Sequence, residues 1–276
     1  MPDRSFTTPA GQAPPEIEVR NPAGTVSVEA HEGAETIDVH VEALDSSAED
    51  LLDQVEISAD APDRADSPVR LRVLVPQRRL FRSPAFEITV TTPPGARVRV
   101  SAMSAGVDVR GAMGRVELTG ASGDLAVERG TDAHVRTASG DVRIGTLSGR
   151  ATVASASGDV RIGSASGGLR GRTASGDIEL DACSGDVSLT TASGDLTIGQ
   201  TTGGSVHVTS VSGDATIGVV PGLRVWLDLS SVSGDMDSTL DGDDSGSGDG
   251  PADLSVTMRS MSGDLRVHRA AGAAAA

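Results

Sequence analysis

The sequence predicts an all-β protein: a single right-handed parallel β-solenoid of about 18 residues per coil, with a less regular β region on its N-terminal side. The main observation is a repeat in which Ser-Gly-Asp precedes two aliphatic residues separated by one polar residue. Four copies begin at Ser139, Ser157, Ser175 and Ser193, and shorter half-copies lie midway between them. A fixed short period of this kind is typical of stacked coils that each contribute the same strands and turns.

The composition agrees with coils that have a thin core. The 276 residues include 34 glycines but only four aromatic residues, three Phe and one Trp. A core with so few aromatic side chains has to be filled by Val, Ile, Leu and Ala, which suits a narrow β-solenoid.

Each repeat also predicts which side chains face the core. Successive side chains of a strand point to opposite sides, so the alternate aliphatic residues face inward and the residue between them faces outward. The predicted inward residues are Val142, Ile144, Val160, Ile162, Ile178, Leu180, Leu196 and Ile198, and the predicted outward residues are Arg143, Arg161, Glu179 and Thr197.

The corners of the coils are predicted from the residues around each Ser-Gly-Asp. The residue before the serine is apolar and is predicted to face inward; it is Ala121, Ala138, Ala156, Ala174, Cys183, Ala192, Val211, Val232 or Met261. The glycine permits the positive φ that a corner needs, so Gly140, Gly158, Gly176 and Gly194 are expected to stack about 4.8 Å apart. The aliphatic pattern shifts by one residue at 202–204, which predicts a bulge.

Four stretches of the chain are distinguished. Residues 1–15 contain four prolines among small and polar residues and are predicted to be a disordered leader. Residues 16–100 alternate apolar and polar side chains and are predicted to be a β region that continues or caps the solenoid. Within this region, residues 46–55 open with a serine cap and predict a short helix. Residues 101–270 are the repeat solenoid, and residues 271–276 are a disordered tail.

Charge and cysteine content disfavour several classes of partner. The formal net charge is −16 and both parts of the chain are acidic, so no basic face is implied, and binding to nucleic acid or anionic lipid is disfavoured. No apolar stretch approaches the ~20 residues that cross a bilayer, and residues 1–11 lack a signal-peptide pattern. These features predict no direct membrane insertion and a cytoplasmic location. Cys183 is the only cysteine and is expected to be a buried, inert thiol.

The turn aspartates are the first candidate site. With one coil per 18 residues, Asp141, Asp159, Asp177 and Asp195 form a ladder of carboxylates about 5 Å apart, which repel each other. Turn amides that donate hydrogen bonds would offset this repulsion, and bound cations are the alternative. Calcium-binding β-rolls also repeat every nine residues, but they carry three glycines per unit where these repeats carry one. A ladder capped by amides, without metal, is therefore expected.

An acidic insertion between the last two repeats is the second candidate. Asp241, Asp243, Ser245 and Asp249 match four ligand positions of a calcium loop, but Ala252 stands where a bidentate glutamate is required. We therefore interpret the insertion as a flexible acidic loop.

Patterns typical of catalysis are lacking. The five histidines are far apart in sequence, and none of the motifs HExxH, GxSxG, GxxxxGK and CxxC occurs. Ser-Gly-Asp recurs too often to be a catalytic pair, and its period is what a turn requires. The protein is accordingly predicted not to be an enzyme, and no cofactor is implied.

The N-terminal strands and the repeats together carry a family resemblance. Ile17-Glu18-Val19, Asn21, Gly24 and Val26-Ser27-Val28, followed by Ser-Gly-Asp-Val-x-Ile units, resemble the bacterial putative-adhesin family, domain of unknown function 4097. The resemblance extends over about residues 16–269. It implies a parallel β-solenoid often found in envelope-associated proteins, and it implies no catalytic or ligand residues.

Two functions are carried forward from the sequence. The first is a non-enzymatic scaffold or adhesin-like interaction protein whose polar ladders contact a protein partner of unknown identity. The alternative is a calcium-binding repeat module that uses the turn aspartates.

Overall fold

The structure is a computed structural model that describes residues 2–60, 64, 67–76, 83–240 and 252–270. The chain divides into two compact units, Met1–Arg143 and Ile144–Ala276. Both units consist of β-strands that pair mostly in parallel, and the described residues contain only two short helical turns. The predicted all-β class and the parallel β-solenoid are confirmed.

The first unit begins with strands that are interrupted by two helical turns. The strands are β1 (Asp3–Pro9), β2 (Glu16–Asn21), β3 (Ala23–Ala30), β4 (Thr36–Ala43), β5 (Glu56–Asp60), β6 (Arg70–Leu74), β7 (Ala85–Thr92), β8 (Arg97–Ala102), β9 (Gly106–Thr119) and β10 (Leu125–Thr137). The turns are α1 (Ser46–Glu49) and a 3-10 turn (Leu52–Gln54), which confirm the short helix. Its cap is Asp45 and not Ser46, because the Asp45 carboxylate accepts the Ala48 N–H at 2.7 Å.

The parallel coils of the first unit do not follow the order of the chain. Strand β2 pairs with β6 on one side and with β8 on the other, and β3 pairs likewise with β7 and β9. The coil of β2 and β3 therefore lies between the coil of β6 and β7 and the coil of β8 and β9. Asn21 fixes the corner of this middle coil: it is fully buried, and its Nδ2 donates to the carbonyls of Phe86 and Thr25 at 2.9 and 3.2 Å.

Antiparallel strands cover the coil of β6 and β7, which we call the outer coil of the first unit. Strand β5 pairs with β6, β4 pairs with β7, and β1 pairs with β4. The predicted disordered leader over residues 1–15 is therefore wrong for residues 3–9, which form β1. The prolines lie before this strand and at its end, so they remove no N–H group from residues 3–8.

The remaining strands carry the regular repeat. They are β11 (Val142–Leu147), β12 (Ala151–Ser155), β13 (Val160–Ala165), β14 (Leu169–Ser175), β15 (Ile178–Cys183), β16 (Val187–Ser193), β17 (Leu196–Thr201), β18 (Gly204–Ser212), β19 (Ala215–Val219), β20 (Val225–Ser233), β21 (Met236–Ser238), β22 (Leu254–Ser262) and β23 (Leu265–Arg269). Val160 lies opposite Ile178, and Ile178 lies opposite Leu196, which confirms the coil of 18 residues. Cys183 lies opposite Thr201 but Val187 lies opposite Val206, so the chain gains one residue between Thr201 and Val206, which confirms the register shift near residues 202–204.

Glycines stack at the Ser-Gly-Asp corner as predicted. Gly158, Gly176 and Gly194 have φ values of 135°, 156° and 139°. A Cβ atom on Gly176 or Gly194 would collide with the backbone of the glycine in the preceding coil. In the first unit, Gly140 lies against Gly123 in the same way, although without a positive φ. Close approach of backbones therefore requires glycine at this corner even where the dihedral angle does not.

The strands face the core as the alternation predicts, but the corner residues do not. The eight predicted inward residues are all at most 3% exposed, and the four predicted outward residues are exposed. The inward prediction is wrong for Ala121, Ala138, Ala156, Ala174, Ala192, Val211, Val232 and Met261, which are exposed. The buried position is the hydroxyl residue one place earlier: Thr137, Ser155, Thr173, Thr191, Ser210 and Ser260. The strand alternation continues through this residue, and the chain turns only at the glycine.

The last strands are also out of chain order. Strand β22 pairs with β18 on one side and with β20 on the other, and β23 pairs likewise with β19 and β21. The coil of β22 and β23 therefore lies between the coil of β18 and β19 and the coil of β20 and β21, which we call the outer coil of the second unit. Arg224 fastens this outer coil, because its Nε and Nη2 donate to the Asp253 carboxylate at 3.1 and 3.0 Å. The predicted tail, residues 271–276, lies outside the described residues.

Candidate functional site

The predicted aspartate ladder is held by backbone amides. In the first unit, Asp124 Oδ1 accepts the Asp141 N–H at 3.1 Å. In the second unit, Asp159 Oδ1 accepts the Asp177 N–H at 3.2 Å, and Asp177 Oδ1 accepts the Asp195 N–H at 2.8 Å. The same bond joins Asp195 to Asp214, Asp214 to Asp264, and Asp264 to Asp235. The predicted amide capping is confirmed, with one difference: each donor is the aspartate amide of the neighbouring coil.

The second carboxylate oxygen of several rungs lies near an arginine two residues further on. The distances are 3.6 Å for Asp141 and Arg143, 3.4 Å for Asp159 and Arg161, and 3.1 Å for Asp264 and Arg266. These pairs are exposed and contribute little stability one by one. The ladder therefore has the geometry of a structural cap on the corner, in which amides and guanidinium groups already face the carboxylates.

The remaining candidates are the acidic insertion and Cys183. Asp241, Asp243 and Asp249 lie outside the described residues. Within the described ranges, no group of three or more His, Cys, Asp or Glu side chains is placed to hold a metal ion. Cys183 is buried as predicted, and burial raises the pKa of its thiol. Its Sγ lies 3.2 Å from the Ala165 carbonyl oxygen, so the thiol is a packing group with a weak hydrogen bond.

A charged face of the first unit is a candidate that the sequence analysis did not anticipate. It lies over five adjacent strands in the order β6, β2, β8, β9 and β10. Residues directly opposite one another alternate in charge; one row is Arg70, Glu16 and Arg97, the next is Arg72, Glu18, Arg99 and Glu117, and Arg115 faces Asp132. We call this surface, with its five arginines and four acidic residues, the arginine face.

Ion pairs order the side chains of the arginine face. Glu16 accepts hydrogen bonds from Arg70 Nε at 3.0 Å and from Arg97 Nη1 at 3.3 Å. Glu117 accepts from Arg99 Nε at 2.9 Å. Because pairs from neighbouring strands interlock, each arginine side chain is held more firmly than a lone surface residue would be.

The arginines project further than the carboxylates. The side chains of the four acidic residues are 26–38% exposed, whereas those of the five arginines are 47–65% exposed. A guanidinium has five N–H donors, and the pairs described above use only one or two of them. These residues line a depression of about 860 Å³. The outermost groups of this surface are therefore mainly guanidinium groups.

This face is close to charge balance, so it is not a basic face, but it is far less acidic than the chain as a whole. The depression is lined by five arginines and four acidic residues, although the whole chain has a net charge of −16. The alternation in Arg70-Leu71-Arg72 and Arg97-Val98-Arg99 predicts that these arginines face outward. It does not predict that they lie close together, because that depends on β2 lying between β6 and β8.

No helix in the described ranges combines the length and the apolar character needed to cross a bilayer.

The fold is similar to that of solved bacterial proteins, and the sequence matches a family model. A structure described as a putative lipid binding protein from Parabacteroides distasonis is similar to this chain, with 12% identity, 96% of each chain covered and a TM-score of 0.54. A putative adhesin from Bacteroides fragilis matches with 13% identity, 96% of this chain and 97% of the other, and a TM-score of 0.44. No curated protein sequence matches the chain significantly. The family model of Toastrack DUF4097 matches residues 7–268, so nearly the whole sequence follows this pattern, and the chain belongs to the Toastrack DUF4097 family.

Proposed function

We propose that the protein is a non-enzymatic interaction scaffold and that its arginine face binds an acidic segment of a protein partner. The observation that carries the proposal is the exposure difference on this face: guanidinium groups project above carboxylates that lie deeper in the sheet. Parallel strands give these groups a fixed spacing, and a carboxylate-bearing chain laid across the strands would meet several of them in turn.

Electrostatics favours an acidic partner at this place. The rest of the chain carries a large negative charge, which repels an acidic segment, so the arginine face is where such a segment would be retained. Arginine also pairs with carboxylates in a bidentate geometry that a lysine cannot reproduce. Backbone amides already occupy the aspartate ladder, so it offers no comparable open donors or acceptors.

The proposal is tested with a fluorescein-labelled oligoglutamate peptide and a Gly-Ser peptide of equal length as probes. Fluorescence anisotropy should show binding of the acidic peptide that weakens as salt is raised. The double variant Arg97→Glu with Arg99→Glu should reduce the affinity on the order of tenfold or more, because two attractive contacts become repulsive.

A matched control is available in the second unit. Arg170 and Arg172 on β14 are exposed arginines with the same spacing along a strand. The double variant Arg170→Glu with Arg172→Glu makes the same change in net charge and should leave the affinity within about twofold of wild type. Equal losses in the two double variants would show that only net charge matters and would overturn the proposal.

Fractionation of the producing cells would show whether the protein is in the cytoplasm or at the envelope. The sequence favours the cytoplasm, and the family resemblance implies an envelope association. Recovery of the protein with the envelope, and its release by high salt, would fit attachment through a charged surface.

A further inference from the structure

The outer coil of the second unit has apolar side chains on its inward face that remain partly exposed. Val225, Leu227 and Leu229 lie opposite Leu254, Val256 and Met258 of β22. The three residues of β22 are fully buried, whereas the three residues of β20 are only partly buried. The reason is that, among the described residues, β20 pairs only with β22 and β21 pairs only with β23.

Strand β20 also lacks the features that protect an exposed sheet edge. Edge strands in soluble proteins are commonly short, or carry lysine, proline or a bulge. Strand β20 has nine residues with no basic residue and no proline, and its single charge, on Asp228, lies 3.9 Å from Arg259 of β22. Trp226 and Val232 on its outward face are 53% and 82% exposed. The edge is therefore an open template for another strand.

We propose that β20 pairs antiparallel with β20 of a second copy of this chain, about a two-fold axis through Leu229. A two-fold axis requires an interface that is complementary to itself, and this register meets that condition. It places Trp226 opposite Val232 of the other copy and Asp228 opposite Ser230, so apolar side chains meet and no like charges face each other. Leu229 of each copy would then face Leu229 of the other, and Leu227, opposite Ser231, would have that same Leu229 as its diagonal neighbour.

A second copy is the occupant that the sequence favours over the chain's own acidic insertion. Residues 241–251 follow the outer coil but contain four aspartates and no aliphatic or aromatic side chain. Such a segment cannot cover Leu227 and Leu229 with apolar contacts. The inference is independent of the proposed function, because β20 lies in the second unit and the arginine face lies in the first.

Sedimentation velocity of the full chain tests the pairing. The wild type should shift with rising concentration from the mass of one chain, 27.9 kDa, to twice that mass. Because each copy is strongly acidic, higher salt should strengthen the association by screening the repulsion. Val232→Asp places a carboxylate opposite the partner's tryptophan and should weaken the association at least tenfold. Trp226→Lys should do the same.

The two-fold register is tested by combining these changes. In the double variant Trp226→Lys with Val232→Asp, each lysine would face an aspartate of the other copy, so dimers should return to near the wild-type level. Val211→Asp is the matched control, because Val211 is 48% exposed on β18, which pairs on both sides. This variant should dimerise like the wild type.

Three results would overturn the proposal. They are a wild type that stays monomeric at all concentrations, a Val232→Asp variant that dimerises as well as the wild type, and a double variant weaker than both single variants. If the wild type stays monomeric but a variant that lacks residues 241–251 dimerises, the edge is assigned to that segment. Circular dichroism and the unfolding midpoint of each variant verify that it is folded.

Discussion

The outer coils of the two units have the same strand pattern but different surroundings. In the first unit, β6 and β7 are followed by antiparallel strands β5 and β4, and Phe86 and Ile88 on β7 are completely buried. In the second unit, the described residues place no strand beyond β20 and β21, and Leu227 and Leu229 remain partly exposed. The alternation of apolar residues thus predicts which side faces inward, but burial depends on a neighbour that the alternation does not specify.

The two units also share an order of coils that differs from the order of the chain. In each unit the coil nearest the chain terminus lies second from the outside: β2 and β3 in the first unit, β22 and β23 in the second. The outer coil in each case is formed by a segment further from the terminus. A coil held between two others is paired along both edges, so β2, β3, β22 and β23 have no open strand edge.

The largest expected contrast comes from removing one core side chain in each outer coil. Phe86→Ala should lower the free energy of unfolding by about 3–5 kcal/mol, because Phe86 is fully buried and the covering strands leave a cavity. Leu227→Ala should cost less than about 1.5 kcal/mol, because water already reaches part of this side chain. Urea unfolding measures both values. Equal costs would mean that the outer coil of the second unit is covered as completely as that of the first.

The next contrast concerns a buried hydroxyl at the same place in two coils. Thr137 in the first unit accepts the Gly140 N–H at 3.1 Å. Thr191 in the second unit is 2% exposed, and its hydroxyl has no hydrogen-bond partner within the described part of the chain. Thr137→Val should therefore cost about 1 kcal/mol, whereas Thr191→Val should be neutral or stabilise by up to about 1–2 kcal/mol.

Thermal unfolding of these two variants is a direct comparison, since valine has nearly the shape of threonine. Thr173→Val repeats the test at a second unpartnered hydroxyl and should change stability in the same direction as Thr191→Val. A loss of stability in both second-unit variants would show that their hydroxyls have partners in solution.

These corner hydroxyls also show how far the sequence predicts the fold. The 18-residue period correctly predicts the inward Val160 and Ile162 and the outward Arg161. It fails at the corner, where Ala156 is exposed and Ser155 is buried, because residue polarity suggested the opposite of what the strand alternation imposes. At a position with room only for a small side chain, the strand alternation predicts burial better than the hydrophobicity of the residue does.

The candidate surfaces were predictable to different degrees for the same reason. The aspartate ladder follows from a fixed period within one stretch of chain, so Asp159, Asp177 and Asp195 could be aligned from the sequence. The arginine face and the open edge of β20 depend on which strands become neighbours across long connections. Nothing in the sequence of β2 or β22 states that it lies between two later or two earlier strands.

Acid is expected to lower the stability of the protein slightly through one carboxylate next to each outer coil. In the first unit, a hydrogen bond from the Ser47 hydroxyl, together with backbone N–H groups, lowers the pKa of Asp45. In the second unit, the Arg224 side chain lowers the pKa of Asp253. A carboxylate with a lowered folded-state pKa stabilises the protein above its unfolded pKa of about 3.9, and this contribution is lost as the pH falls through the folded-state value.

Two alanine variants measure these contributions separately. At pH 7, Asp45→Ala should cost about 1 kcal/mol through loss of the helix cap. Asp253→Ala should lower the unfolding midpoint slightly, because its pair with Arg224 is exposed to solvent. Both differences from wild type should shrink as the pH is lowered below 4. A difference that persists at low pH would show that packing, and not charge, is responsible.

The smallest expected effect is that of calcium on the aspartate ladder. Each carboxylate from Asp159 to Asp264 already accepts a backbone N–H from the next coil, so a cation would have to compete with these bonds. Asp235 on the outer coil of the second unit is the last rung, and the described residues place no amide beyond it. Millimolar calcium should therefore change the melting temperature of the wild type by less than about 1 °C. A rise of several degrees that disappears in the variant Asp159→Asn with Asp177→Asn would show that the ladder binds cations. A smaller rise that disappears only in Asp235→Asn would instead place calcium at the open end, where the ladder and the uncovered core of the outer coil come together.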